Sequence, residues 1–148
     1  STIVPMAVLL WCLRFSAADW RFVIAAILIL GIFNILTGLV QILGPTKGPL
    51  YLYRITNYGH PVGLFANRNH FAVFLACLFP IFTIYATTQI TSREQAIRKR
   101  WLSMLGAAMV LPMILLSGSR AGLFAGLVGL VTIPLLWKYE KELPAAKR

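Results

Sequence analysis

The hydrophobic positions of this chain fall into long continuous runs. Residues 22–43 form the cleanest run, and as a helix they would be roughly 33 Å long, enough to cross the ~30 Å hydrocarbon core of a bilayer. The other apolar runs cover residues 3–13, 71–90, 101–116 and 123–137. The first of them is too short to cross and is interpreted as the end of a truncated helix. The pattern therefore predicts an all-α fold, a polytopic transmembrane helical bundle of four to five helices within a larger bundle.

The segment SGSRAG, residues 117–122, decides how the last two runs are connected. One continuous helix from Trp101 to Trp137 would be about 55 Å long and would overrun the bilayer. It would also leave Arg120 near the midplane, where an unpaired charge costs at least about 2.5–3.5 kcal/mol. We therefore expect two helices joined by a turn at this segment, and a kink at Pro80 in the run before them.

Composition supports a membrane protein. Hydrophobic residues make up 59% of the 148-residue chain and charged residues 12%, whereas soluble domains have about 45–50% and 25%. The net charge of +10 would indicate nucleic acid as the partner of a soluble protein. Here the basic residues lie between apolar runs, so we predict membrane lipids as partners and no nucleic acid.

The basic residues also predict an orientation. The outward side of the expected topology holds only Lys47, Arg54, Arg68 and Arg120, in the loop 44–69 and at the SGSRAG turn. Positive loops stay in the cytoplasm, which assigns the loop 91–100 and the tail 138–148 to that side. The ten basic residues of the cytoplasmic side are Arg14, Arg21, Arg93, Arg98, Lys99, Arg100, Lys138, Lys141, Lys147 and Arg148.

A polar cluster, ANRNHFA, precedes the run at residues 71–90. Asn67 and Asn69 are suited to capping the helix that follows, because asparagine oxygens accept from unpaired backbone N–H groups. Alternatively, free N–H groups at the positive helix end and the Arg68 guanidinium would form an anion site. His70 is either an interfacial histidine or a general base or phosphate donor. His60, before a proline, is interpreted as a loop residue.

Small residues surround Arg120 and predict close helix packing. They do not explain the arginine itself, whose planar fork of donors matches phosphate oxygens. With Arg68 and a helix N-terminus, it would suit a diphosphate at the outer membrane surface. The candidate catalytic residues are therefore Arg120, Arg68 and His70. The candidate substrate-binding residues are Asn67, Asn69, Ser119 and Arg54. The chain has no outward carboxylate pair, metal-ligand spacing or phosphate-binding glycine loop, so no cofactor and no metal are predicted.

Two motifs resemble the bacterial O-antigen ligase and polysaccharide polymerase family. GLFANRNHFAVFL, from Gly63, resembles that family's Gly-x-Phe-x-Asn-(Arg)-Asn-(His)-x-Ala segment. LLSGSRAGLFAGLVGL, from Leu115, is similar to its Ser-Arg-Gly/Ala segment. The order of the motifs and their separation by one helical hairpin also match, and the resemblance covers most of residues 22–137.

The resemblance implies a multi-pass glycosyltransferase of the bacterial inner membrane, active on the periplasmic face in lipopolysaccharide or exopolysaccharide biosynthesis. It would move a glycan from undecaprenyl diphosphate to a lipid A-core or to a growing glycan. By the family pattern Arg120 would bind the carrier diphosphate, and Arg68, Asn67, Asn69 and His70 match the upstream motif. The family's catalytic histidine lies in a large periplasmic loop after the Ser-Arg helix. We therefore expect this chain to be a central fragment that does not catalyse alone.

Two other functions fit the same residues. Prolines within predicted spans, at positions 80 and 112, suit a membrane transporter of lipid-linked or anionic substrate. The small residues from Gly118 to Gly126 suffice for a non-catalytic membrane subunit that only packs against other helices.

Overall fold

The computed structural model describes residues 12, 14–87 and 92–142. The predicted helix at 3–13 therefore falls, apart from Cys12, outside the described residues. The described residues contain helices, loops and turns but no strand, which confirms the all-α prediction. The helices are α1 (Ala17–Leu43), α2 (Arg68–Ala76), α3 (Leu78–Thr87), α4 (Arg93–Ser117) and α5 (Arg120–Glu142).

Among the described residues, three helical stretches are long and apolar enough to cross a membrane: Ala18–Leu43, Arg68–Thr87 and Arg93–Ser117. A shorter apolar helix covers Arg120–Leu136. Large apolar side chains stay exposed along these helices, including Phe22 at 76% and Phe124 at 71% of their surface. A soluble monomer rarely exposes so much contiguous apolar surface, whereas lipid accommodates it. These features indicate a membrane protein.

Capping residues set helix starts that the apolar runs alone do not mark. Ser16 and Asp19 form a capping box, so α1 begins at Ala17, before the apolar run. Ser92 caps α4, which begins at Arg93 and absorbs most of the stretch predicted as the loop 91–100. Charged side chains are compatible with a helix that extends beyond an apolar core. In the same way α5 covers Arg120–Glu142 and extends past the predicted end of its run into the charged tail.

The helix that contains Pro80 breaks at Cys77, between α2 and α3. A proline four residues on cannot donate to the Ala76 carbonyl, and its ring crowds that oxygen. In α3 Pro80 is the third residue, where no intrahelical N–H is needed. In place of the predicted kink at Pro80, the helix is interrupted about one turn earlier, at Cys77. The carbonyl of Ala76 therefore lacks the helical N–H that residue 80 would otherwise donate. A Cβ on Gly129 of α5 would lie 2.8 Å from that oxygen, so only glycine lets the α5 backbone approach it.

α2 and α5 pack side by side in the same direction. A Cβ on Gly122, near the start of α5, would overlap Cβ of Ala72, and Gly129 further along faces Ala76. The contacts advance together along both helices, so the two N-termini lie at the same end of the bundle. The core around this contact contains Phe71, Ala72, Leu75, Ala76, Leu78, Phe79, Val110, Met113 and Ile114.

α4 packs against α3 and then turns into α5. Ser103 Oγ donates to the carbonyl of Phe82 at 2.9 Å, and Gly106 accommodates the Phe82 ring. Gly118 follows α4 with φ of 62°, a left-handed conformation that favours glycine. The expected turn within residues 117–122 therefore consists of Gly118 and Ser119, and it brings α5 back along α4.

Candidate functional site

Both sequence motifs end up at one end of the bundle. Arg68 is the first residue of α2 and Arg120 is the first residue of α5, and these helices start side by side. Arg68 Nη1 lies 3.4 Å from the position that a Cβ would take on Gly118, in the turn that precedes Arg120. The structure thus brings the loop motif into contact with the turn of the second motif.

Arg68 is fixed by the loop that precedes it. Its guanidinium is half-buried, and Nη1 donates to Nε2 of His60 at 3.0 Å. A guanidinium has no acceptor, so this bond requires a neutral imidazole with its proton on Nδ1. The backbone N–H of Arg68 donates to Oδ1 of Asn57 at 3.0 Å. Both the side chain and the backbone of Arg68 are therefore held by residues of the segment 57–60.

The N-terminus of α2 is largely occupied by its own caps. Asn67 is the N-cap, and its Oδ1 accepts from the N–H of Asn69 at 2.7 Å. Oδ1 of Asn57 accepts from the N–H of Arg68, so the first two N–H groups of the helix both have partners. The side chains of Asn69 and His70 are exposed on the first turn. An anion at α2 would meet side chains of this turn rather than two open backbone donors.

The start of α5 differs. Ser119 is 1% exposed, and its Oγ accepts from the N–H of Gly122 at 2.9 Å. Ser119 therefore caps the helix from a buried position, and its role in substrate binding stays a prediction. In the described part of the chain, neither the exposed Arg120 side chain nor the N–H groups of Arg120 and Ala121 have a hydrogen-bonding partner. These donors remain available to an anion.

Arg54 lies in the aromatic part of the loop. Its side chain is exposed, and its carbonyl accepts from the Tyr58 hydroxyl at 3.2 Å. The Tyr58 ring contacts Tyr51 in a tilted arrangement, with 5.2 Å between the ring centroids, and Lys47 Nζ lies 5.9 Å from the Tyr58 centroid. Within the described part of the chain, no hydrogen bond joins Arg54 to Arg68 or Arg120. Of the predicted residues, the structure therefore groups Arg68, its neighbours in α2, Ser119 and Arg120 at two adjacent helix starts, whereas Arg54 contacts an aromatic residue of the loop.

Two buried amides of α1, which the sequence analysis did not select, hold the loop in place. Gln41 is 3% exposed, and its Oε1 accepts from the N–H groups of Val62 and Gly63, each at 2.9 Å. Its Nε2 donates to the carbonyls of Leu50 and Gly63 at 2.9 and 3.0 Å. Asn34 also supports the loop, because its Oδ1 accepts from a loop N–H at 3.0 Å. The sequence indicated this role only by the spacing of the two amides. Residues seven positions apart share one face of a helix, and the α1 run is mostly apolar.

Tyr51 connects this anchor to the arginine. Its hydroxyl donates towards the carbonyls of Gln41 and His60 at 3.4 and 3.2 Å, and it accepts from the N–H of Gly59 at 3.1 Å. Gly59 has φ of 79°, which lets the chain turn just before His60. A continuous set of contacts therefore runs from Gln41 through Tyr51 and His60 to Arg68.

The charge at this end of the bundle is entirely positive. Residues 20–93 and 95–139 contain no Asp or Glu, whereas Lys47, Arg54, Arg68 and Arg120 belong to the loop and the two helix starts. Within the described residues there is also no group of three His, Cys, Asp or Glu that could hold a metal ion. Cationic donors without neighbouring carboxylates favour an anionic ligand.

Comparisons of the chain with protein-family models, curated proteins and solved structures found no match.

Proposed function

We propose that this chain forms part of an O-antigen ligase-like glycosyltransferase of the bacterial inner membrane. The enzyme transfers an oligosaccharide or polysaccharide from undecaprenyl diphosphate to a lipid A-core or a growing glycan at the periplasmic face. One observation carries the proposal: Arg68 of the first motif lies against Gly118, in the turn from which Arg120 of the second motif begins α5.

The chemistry of the transfer explains why such donors are needed. Cleavage of a sugar–diphosphate bond develops negative charge on the leaving diphosphate. Donors that are already in place where this charge grows lower the barrier, and loss of one such donor typically costs about 10²–10³ in rate. Arg120 supplies a free guanidinium beside the open N–H groups at the start of α5. Arg68 keeps its other guanidinium donors after the bond to His60.

In the proposed topology, the end of the bundle that carries Arg68 and Arg120 faces the periplasm. α1, the pair α2–α3, α4 and α5 each cross the inner membrane in this multi-pass arrangement. The loop 44–67 and the starts of α2 and α5 face the periplasm, while the basic start of α4 faces the cytoplasm. The polyprenyl chain of the carrier then lies along the exposed apolar side chains, and its diphosphate reaches the arginines.

The acceptor hydroxyl needs a general base. The family resemblance assigns this role to a histidine of a large periplasmic loop that follows the Ser-Arg helix. His70 is exposed on the first turn of α2, and in the proposal it contacts the diphosphate or the glycan as a secondary donor.

Replacement of Arg120 by lysine in the whole protein tests the proposal. Lys retains the positive charge but loses the planar fork of donors, so we expect glycan transfer to fall by about 10²–10³ while membrane insertion is preserved. The measurement is transfer from undecaprenyl-diphosphate-linked glycan in purified proteoliposomes. Arg100→Lys is the matched control, because Arg100 is an exposed arginine in the first part of α4. Unchanged transfer by the Arg120→Lys protein would refute the proposal.

A transporter is the second candidate, and the break at Cys77 favours it. The break interrupts the apolar stretch Arg68–Thr87, and transporters often form substrate sites at discontinuous helices. Flux of a lipid-linked or anionic substrate into proteoliposomes without glycan transfer would support this function. If full activity of the parent complex survives Arg68→Ala and Arg120→Ala, a non-catalytic packing subunit is the better description.

A further inference from the structure

His60 is the loop residue that contacts the Arg68 guanidinium, and neither the motifs nor the proposed transfer assigns it a role. We propose that His60 is a positioning residue, which holds Arg68 against the turn at Gly118 so that its remaining donors face the start of α5. This inference rests on the proposed function, because it concerns how the diphosphate-binding arginine is placed.

The contact has three members. Nη1 of Arg68 donates to Nε2 of His60 at 3.0 Å. A Cβ on Gly118 would lie 3.4 Å from that same Nη1 and 3.9 Å from Cε1 of His60. The guanidinium and the imidazole therefore meet at the backbone of one glycine. A long arginine side chain has many rotamers in solution, and this contact selects one of them.

His60 is itself well placed for this task. Its carbonyl accepts from the Tyr51 hydroxyl at 3.2 Å, and its N–H donates to the carbonyl of Asn57 at 3.2 Å. Pro61, which follows it, is fully buried and restricts the backbone of His60 to extended conformations. The backbone of His60 is thus held from both sides along the chain, so this residue can transmit the position of the loop to Arg68.

The chemical requirement at position 60 is a neutral acceptor, because a guanidinium can only donate. Glutamine can place an amide oxygen near the position of Nε2 and should replace the imidazole. Leucine has a similar size but no acceptor. Asparagine has an acceptor on a shorter side chain that does not reach the position of Nε2.

The test compares these substitutions in the whole protein, with transfer from undecaprenyl-diphosphate-linked glycan as the readout. We expect His60→Leu to lower transfer by up to about a hundredfold, a loss that a displacement of about 1 Å can cause in a catalytic site. His60→Gln should remain close to the unsubstituted protein. Equal losses for the two variants would overturn the positioning role, because a purely structural histidine would not be rescued by an acceptor.

A second comparison covers the case in which His60→Leu does not fold. His60→Gln and His60→Asn both introduce a neutral amide, so their stabilities should be similar while only the glutamine supports transfer. Equal transfer by the two would overturn the inference. In addition, His60→Asn should have no further effect in an Arg68→Ala background if His60 acts through Arg68. Additive losses in that double variant would contradict it.

The same variants distinguish a failure of this inference from a failure of the proposed function. Normal transfer by the Arg68→Ala protein would remove Arg68 from the site and refute the positioning role, whereas unchanged transfer by the Arg120→Lys protein would refute the proposed function. Loss of transfer in Arg68→Ala together with normal transfer in His60→Leu would refute only the positioning role of His60.

Discussion

Two helices of this bundle begin side by side with the same local pattern, a capping residue followed by an arginine. At α2 the pair is Asn67 and Arg68, and the loop encloses it: His60 binds the guanidinium and Asn57 binds the backbone N–H. At α5 the pair is Ser119 and Arg120. There the cap is buried, while the arginine is exposed and has no partner among the described residues.

The difference shows how the same local sequence pattern can supply two kinds of donor. Arg68 loses its rotamer freedom when the chain folds, so a ligand does not have to order it. Arg120 remains free to adjust to a ligand, at the cost of becoming ordered on binding. In the proposed transfer, one fixed and one adjustable cation at adjacent helix starts would suit a diphosphate whose geometry changes during cleavage.

The first prediction breaks the comparison by releasing the loop around Arg68. Gln41→Leu would leave two buried N–H groups and two carbonyls without their partner, and we expect a destabilisation of at least about 3 kcal/mol. Hydrogen exchange of the detergent-solubilised protein should rise in residues 50–68 and stay unchanged at residues 118–122. Thr37→Val on the same helix is the control, because within the described residues the Thr37 hydroxyl bonds only to the carbonyl of Phe33. Equal exchange in the two variants would contradict the anchoring role of Gln41.

The second prediction separates the two helix starts. A methyl group on Gly122 would overlap that of Ala72, so we expect Gly122→Ala to destabilise the protein by about 1–3 kcal/mol. The thermal unfolding midpoint in detergent micelles measures this change. Gly126→Ala provides a matched control in the same helix, since its Cβ would meet only Ile114, at 3.4 Å or more. If Gly122→Ala were as stable as Gly126→Ala, α2 and α5 would not pack as described.

The third prediction sharpens the comparison at the caps and has the smallest effect. Asn67→Ala and Ser119→Ala each remove an oxygen that accepts a backbone N–H, and we expect a loss of about 1 kcal/mol for each. Asn67→Asp keeps the capping oxygen, so stability should be retained. Transfer by the Asn67→Asp protein then decides whether Asn67 does more than cap α2. Unchanged transfer indicates a cap alone, and impaired transfer at normal stability indicates contact with the anionic substrate.

Several features were accessible from the sequence because they depend on local properties. Length and hydropathy alone predict the apolar stretch of α1, and the conflict between a 55 Å helix and a ~30 Å core predicts a turn near Gly118. Helix ends were less accessible. α4 begins at Arg93 because Ser92 caps it, and a run of charges conceals this start when only hydrophobicity is considered.

The candidate site was accessible in part. Arg68 and Arg120 stand out because the predicted topology leaves few charges on their side of the membrane, and Asn67 has the side chain expected of a cap. The roles of His60 and Gln41 were not accessible, since each depends on a partner that the fold supplies. Gln41 bonds to residues up to 22 positions away, and no local pattern indicates which backbone groups a buried amide will meet.

The sequence by itself determined that this protein is helical and has the surface of a membrane protein. In lipid, a continuous apolar run can satisfy all its backbone N–H and C=O groups within the same segment only as a helix. Only the tertiary structure decided that Arg68 meets the turn before Arg120. That meeting requires α2 and α5 to run in the same direction with Gly122 and Gly129 at their contact. It also requires the loop to be fastened to α1 by Gln41. Both conditions depend on contacts between distant parts of the chain.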